Sequence, residues 1–168
     1  MKKISILIFT ALAMQVYGQM TEAAMLKNAY NGIKNNITKM AEAMPEDQYI
    51  FKATPDIRSF GQLMGHIADA QGRTCAAVAG GAMPPSASSK TSKADLVAAL
   101  KNSFDICDGV FNSLSDEDSA KMITAGRGGP RSKMGTLWGL VAHSNEEYGY
   151  SAVYLRLKGI TPPSSAGR

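Results

Sequence analysis

The chain has 168 residues, 45% of them hydrophobic, and 18 basic against 14 acidic side chains give it a net charge of +4. That length admits one domain with a core that needs no obligatory staple, and the balance of +2 left once the two lysines of an expected leader are removed is too weak to suggest nucleic acid or an anionic membrane surface as a partner. Few aromatics (7%) beside 10 methionines favour helix packing over a β-sandwich.

The first stretch is not part of the fold. Lys2 and Lys3 precede an apolar run over residues 4–16, and Val16-Tyr17-Gly18 offers cleavage positions. The pattern predicts a secretory signal peptide over residues 1–18, cut near Gly18, with export to the periplasm or the extracellular space. The run is roughly 13 residues, short of the roughly 20 that a spanning helix needs, so no stable membrane association is expected. Cleavage takes two lysines and no acid, which lowers the net charge from +4 to +2.

Residues 19–168 read as one all-α domain. Helix one is predicted over residues 21–44, with Ala23, Leu26, Tyr30, Ile33, Ile37, Met40 and Met44 spaced alternately by three and four. Pro45 stops it. A connector, residues 46–58, holds Tyr49, Ile50 and Phe51; no long element is expected there, and its aromatics are expected to tuck against the bundle. Helix two starts after Ser59, which with Gln62 fits a capping box, and carries Phe60, Leu63, Ile67, Ala70 and Thr74 on one face. It ends before Gly80-Gly81. A Pro/Ser-rich loop, residues 83–92, follows with no element of its own.

Helix three is predicted over residues 93–114, capped by Ser92 with Asp95. Its stripe is Leu96 or Val97, Leu100, Phe104, Cys107, Phe111 and Leu114. Residues 116–133 are polar and glycine-rich and read as a surface loop. It lacks the preceding strand and the Lys-Ser or Lys-Thr ending of a phosphate cradle, though Arg127 and Arg131 can face an anionic ligand. Helix four is predicted from Met134 to Leu157 or Lys158, with Gly159 as a left-handed cap. Four such helices bury their stripes as a four-helix bundle.

Cys75 and Cys107 are the only cysteines. In an exported protein an even pair points to a disulfide. Two buried thiols are the alternative, and neither cysteine has metal-ligand spacing.

His66 and His143 are the only histidines, and His66 borders the stripe of helix two. His143 and Glu147 are four residues apart, so they stack on one helical face and can share a metal ion if folding brings His66 to them. The bland alternative is a hydrogen-bonded core histidine. Asp69, three residues after His66, can orient an imidazole or lie solvated. Tyr150 can line a pocket near Glu147 or simply pack.

Two blocks carry a family resemblance. Residues 58–71, Arg-Ser-Phe-Gly-Gln-Leu-Met-Gly-His-Ile-Ala-Asp-Ala-Gln, resemble the second helix of the DinB-like family, and residues 143–165, with Tyr-Leu-Arg-Leu-Lys-Gly-Ile-Thr-Pro-Pro-Ser-Ser at their end, resemble its fourth. The resemblance implies a four-helix bundle holding a divalent metal through three histidines, one on helix two and two at i and i+4 on helix four. It also implies thiol-dependent transferase, isomerase or hydrolase relatives. Here the ligand set becomes His66, His143 and Glu147, with a glutamate where the family usually has histidine. Two histidines and a carboxylate suit zinc first, with nickel, iron and manganese as alternatives. The carboxylate lowers the net charge of a divalent site from +2 to +1 and weakens it as a Lewis acid.

The expectation is an exported metal-binding bundle acting on an unidentified small molecule as a hydrolase or group transferase, with room for pairing of two copies. The other expectation is a non-catalytic bundle that has lost its metal, with Glu147 merely pairing with His143.

Overall fold

Hydroxyl caps set where each helix begins. In the computed structural model, which describes residues 20–124 and 129–167, five helices are present: α1 (Glu22–Ala43), α2 (Phe60–Ala79), α3 (Lys93–Ser113), the single turn α4 (Asp116–Ser119) and α5 (Lys133–Leu157). Thr21, Ser59, Ser92, Ser115 and Ser132 each accept a hydrogen bond from a backbone amide of the first turn, relieving one of the amides a helix start leaves unpaired. The Ser59–Gln62 box is complete: Gln62 N–H donates to Ser59 Oγ, and Ser59 N–H donates to Gln62 Oε1. Gly80 and Gly159 sit in the left-handed region at φ 69° and 73° after α2 and α5, where a side chain would clash with its own backbone. The expected leader, residues 1–18, lies outside the described residues.

The stripes of α1 and α3 are buried as spaced. Leu26, Ile37 and Met40 on α1 and Leu96, Leu100 and Phe104 on α3 belong to the core, and Tyr30 stacks flat on Phe111. The stripe on α2 is broader than expected. Ala70 and Thr74 are only half-buried, whereas Met64, Ala68, Gln71 and Cys75 are buried. The reason is that α2 packs against both α3 and α5 and is also covered by the segment that follows it.

Helix directions come from the cross-contacts. Gly61 and Gly65 face Leu96, Gly72 faces Ser103, and Cys75 is bonded to Cys107, so α2 and α3 run parallel. Tyr30 bonds Asp108 while Lys93 reaches back to the carbonyl of Met44, so α1 opposes α3. Gln71 meets Ser144 and Arg58 meets Tyr154, so α5 opposes α2. The bundle is therefore up, down, down, up, and α1 lies beside α3 and α5 rather than beside its successor.

Parallel neighbours need a connection that returns along their length. The Pro/Ser-rich segment does this. It makes no helix or strand, but Ala87 is buried and its carbonyl lies over Gly65, while Pro84 lies over Gly72. The loop is thus a strap, admitted by glycines that leave α2 without side chains at the crossing. A Cβ on Gly72 would stand 2.6 Å from Pro84 Cγ, whereas one on Gly32 of α1 would meet nothing within 4 Å. Gly72→Ala should destabilise by about 1–3 kcal/mol, and Gly32→Ala should stabilise by roughly 0.5–1 kcal/mol. Urea melts of the two variants check this, and equal effects would refute the strap.

One expectation is corrected. Residues 116–133 are not all loop: after α4, β1 (Met122–Thr124) pairs antiparallel with β2 (Pro130–Ser132). Strands of three residues are too short for alternation to register. In the connector the aromatics pack as expected: Tyr49 is buried and Phe51 lies against the core, while Ile50 between them is exposed. No described helix is long and apolar enough to cross a membrane.

Candidate metal centre

Register between α2 and α5 is set by polar groups that no hydrophobic pattern reveals. Gln71 Nε2 donates to Ser144 Oγ at 2.6 Å, and Ser144 Oγ donates to the carbonyl of Leu140 at 2.7 Å, all in the core. At the far end Tyr154 donates its hydroxyl to the Arg58 carbonyl at 2.6 Å. Buried amide–hydroxyl bonds of this kind are costly to break because each partner would be stranded away from water. His66 and Glu147 lie between these two clamps, and His143 lies beside the first, next to Ser144.

The three side chains converge. One donor atom from each lies within 4.8 Å of the other two. His66 Nε2 is 3.4 Å from Glu147 Oε1, and the two imidazoles meet edge to face with ring centres 5.1 Å apart. Donors around one tetrahedral zinc ion, at bonds of about 2.0–2.2 Å, sit roughly 3.3–3.6 Å apart. Closing the widest present spacing takes about 1.2–1.5 Å shared between two side chains, within the reach of side-chain torsions.

Glu147 is the unusual member. It is 5% exposed, and its Oε2 has no hydrogen-bond partner among the described residues. A buried carboxylate oxygen without a partner is costly, and a cation would satisfy it. Ser151, one turn later, is fully buried and its hydroxyl is likewise without a partner among the described residues. The donor set and the orphaned oxygen both fit a divalent ion.

The imidazoles are more open than the glutamate, with side-chain exposures of 27% for His66 and 33% for His143. The His66 pKa is held below its ordinary value by burial first. Glu147 opposes that shift, while Arg58, His143 and Arg73 add to it. A neutral imidazole is the form that binds metal.

The other expected residues are placed elsewhere. Asp69 does not orient an imidazole: its carboxylate accepts from Ser86 Oγ at 2.7 Å and from the Ala87 amide at 2.6 Å, holding the strap. Tyr150 is 53% exposed and donates to Glu146 Oε1. It lines a groove with Arg58, Leu63 and Tyr154, one helical turn from the ligands. Cys75 and Cys107 form the disulfide, at a Cα separation of 5.1 Å. Arg131 lies on β2 and lines a second cleft beside His143, together with Arg73, which the sequence reading passed over. Its signal was available, since Arg73 follows His66 by seven residues and so shares its helical face. Arg127 lies outside the described residues.

A family model described as the DinB superfamily matches residues 30–150. Among solved structures, the chain is similar to a DinB-like protein from Bacillus cereus ATCC 10987, at a TM-score of 0.71 and 17% identity over 82% of this chain and 93% of that one. A conserved protein from Enterococcus faecalis aligns at a TM-score of 0.68 and 14% identity, over 83% and 98%. A DinB-like protein from Bacillus subtilis aligns at 0.66 and 17%, over 82% and 93%. No curated protein matches.

Proposed function

The chain belongs to the DinB superfamily, and from that premise we propose that it is an exported protein that binds one divalent metal through His66, His143 and Glu147 and uses it for hydrolysis or group transfer on a small molecule. The observation that carries this reading is the convergence of the three donors, one of them a buried glutamate whose Oε2 has no hydrogen-bond partner among the described residues. Zinc suits the donor set best, with nickel, iron and manganese as alternatives. Bound there, the ion would supply Lewis acidity for activating a water or other small nucleophile.

The chain's own residues do the rest. His66 and His143 form the open rim, and Glu147 forms the dry floor. The Gln71–Ser144 clamp keeps α2 and α5 in a register that presents all three together. The Cys75–Cys107 disulfide supports export, because such bonds persist in oxidising compartments.

The test is zinc stoichiometry of protein purified without chelators. One zinc per chain is expected, and His66→Ala and His143→Ala should each weaken binding by roughly a hundredfold or more, since even outer partners of ligands cost 10–100-fold. Substoichiometric zinc that neither variant alters would refute the reading.

A second reading is favoured by one contact. The 3.4 Å approach of His66 to Glu147 is also that of an ion pair, as in a non-catalytic bundle without metal, although the histidine paired with Glu147 is His66 rather than the expected His143, which lies 4.0 Å from Glu146. Metal-dependent turnover of ester or amide probes separates the two, because a binder turns over neither.

A further inference from the structure

A second feature lies along the same groove. On α2, His66, Ala70, Arg73 and Ala77 follow one another at four, three and four residues and share one face. On α5, Thr136, Leu140, His143 and Glu147 do the same in the opposite direction. The two faces enclose a cleft of about 380 Å³, with His143 at one end and Ala70, Ala77 and Leu140 among its walls. Arg73 and Arg131 also line it. β2 delivers Arg131, which immediately precedes the Ser132 cap of α5, so the hairpin fixes this guanidinium against the helix that carries the metal ligands.

No acidic side chain among the described residues lines the cleft. Among the described residues, neither guanidinium takes part in an ion pair. Two arginines over a small apolar cleft are the groups that hold a carboxylate or a phosphate by paired N–H donors. Exposed arginines bind anions weakly one at a time. Here two act together, and the neighbouring cluster would add further positive charge when metal is bound.

We propose that this cleft is the recognition half of the centre, and that its ligand is a small organic anion with a carboxylate or phosphate on a short apolar body. The anionic group sits with Arg73 and Arg131. The body lies along Ala70, Ala77 and Leu140, and the opposite end reaches the imidazole rim. Thr136 and His143, which both line the cleft, are seven residues apart and so span about 10 Å of helix, which sets the scale of a ligand that runs along it. The proposal rests on the metal reading for the reacting end only, because anion capture by the arginines needs no metal.

Calorimetric titration of metal-free protein with benzoate, phenyl phosphate and benzamide tests it. Benzoate and phenyl phosphate should bind at least tenfold more tightly than neutral benzamide. Arg73→Gln and Arg131→Gln should each weaken the anions fivefold or more, and the double variant should abolish the preference. Arg156→Gln, which removes a guanidinium that bonds Ser165 away from the cleft, should change nothing. Zinc binding by the Arg73 and Arg131 variants should match wild type, so failure of the metal reading and failure of this one are separate results. Benzamide binding as well as benzoate would overturn the proposal. So would anion binding equal in wild type and the double variant, or seen only after zinc is added and insensitive to both arginines.

Discussion

Replacing Glu147 with methionine should abolish zinc binding and, in metal-free protein, raise stability by about 1–2 kcal/mol. The two halves of this result have one cause. Glu147 is almost wholly buried and one of its oxygens has no partner among the described residues. Methionine has a similar volume and no polar atom, so it removes an unsatisfied acceptor and opens no large cavity. The opposite outcome would have an equally clear meaning. If Glu147 were there to pair with a charged His66, removing it would leave a stranded cation and cost several kcal/mol. Burial holds the His66 pKa below its usual value, which disfavours a charged imidazole beside Glu147, so removing the carboxylate is expected to strand no cation. Chemical denaturation of wild type and Glu147→Met at neutral pH, with chelator present, reads the sign. A destabilised variant would overturn the metal-site reading in favour of a structural pair. A side chain that costs the apo fold stability and is retained for its site is the usual trade at functional positions.

The same shift fixes the pH dependence of uptake. Protons compete with metal for an imidazole. Because burial lowers the folded pKa of His66, proton competition at this ligand sets in at lower pH than for an ordinary histidine. Zinc affinity should therefore weaken as pH falls through and below the ordinary histidine range.

Much of this centre was legible before any coordinates. Cap residues and three–four spacing located the helices to within a residue or two, because both are local properties of the chain. His143 and Glu147 could be placed on one face for the same reason. What periodicity does not carry is direction. A stripe looks the same whether its helix runs up or down, so the parallel pairing of α2 and α3 was not readable, and neither was the strap it requires. Asp69 shows the consequence. Its spacing from His66 suggested a partner for imidazole, but the strap crosses α2 at that level and takes both carboxylate oxygens. Gln71 was hidden by its polarity, since a stripe search skips a glutamine that is buried for the bond it makes to Ser144. Arg73 was hidden by the opposite prejudice, that a charge on an exposed helical position is only a solvated face.

The parallel pair also explains where the disulfide lies and how large its effect should be. Parallel helices cannot be joined by a tight turn, so α2 and α3 depend on a long return through the strap, and the unfolded chain can separate them widely. The Cys75–Cys107 bond closes 32 residues of sequence, and a loop of that length corresponds to about 3–4 kcal/mol of lost unfolded-state entropy. Against a total stability of about 5–15 kcal/mol for a domain, that is a large share. Cys75→Ala combined with Cys107→Ala should therefore lower the free energy of unfolding by about 3–4 kcal/mol in urea. Both sulfurs are fully buried in the core, so a thiol reductant should act on the native protein only as fast as it opens. Zinc affinity in the folded double variant should stay within a fewfold of wild type, because His66 is held by the clamps to α5 rather than by the link to α3. A loss below about 1 kcal/mol would mean that the reduced chain keeps α2 and α3 together when unfolded, and that the cross-link is not what holds this half of the bundle.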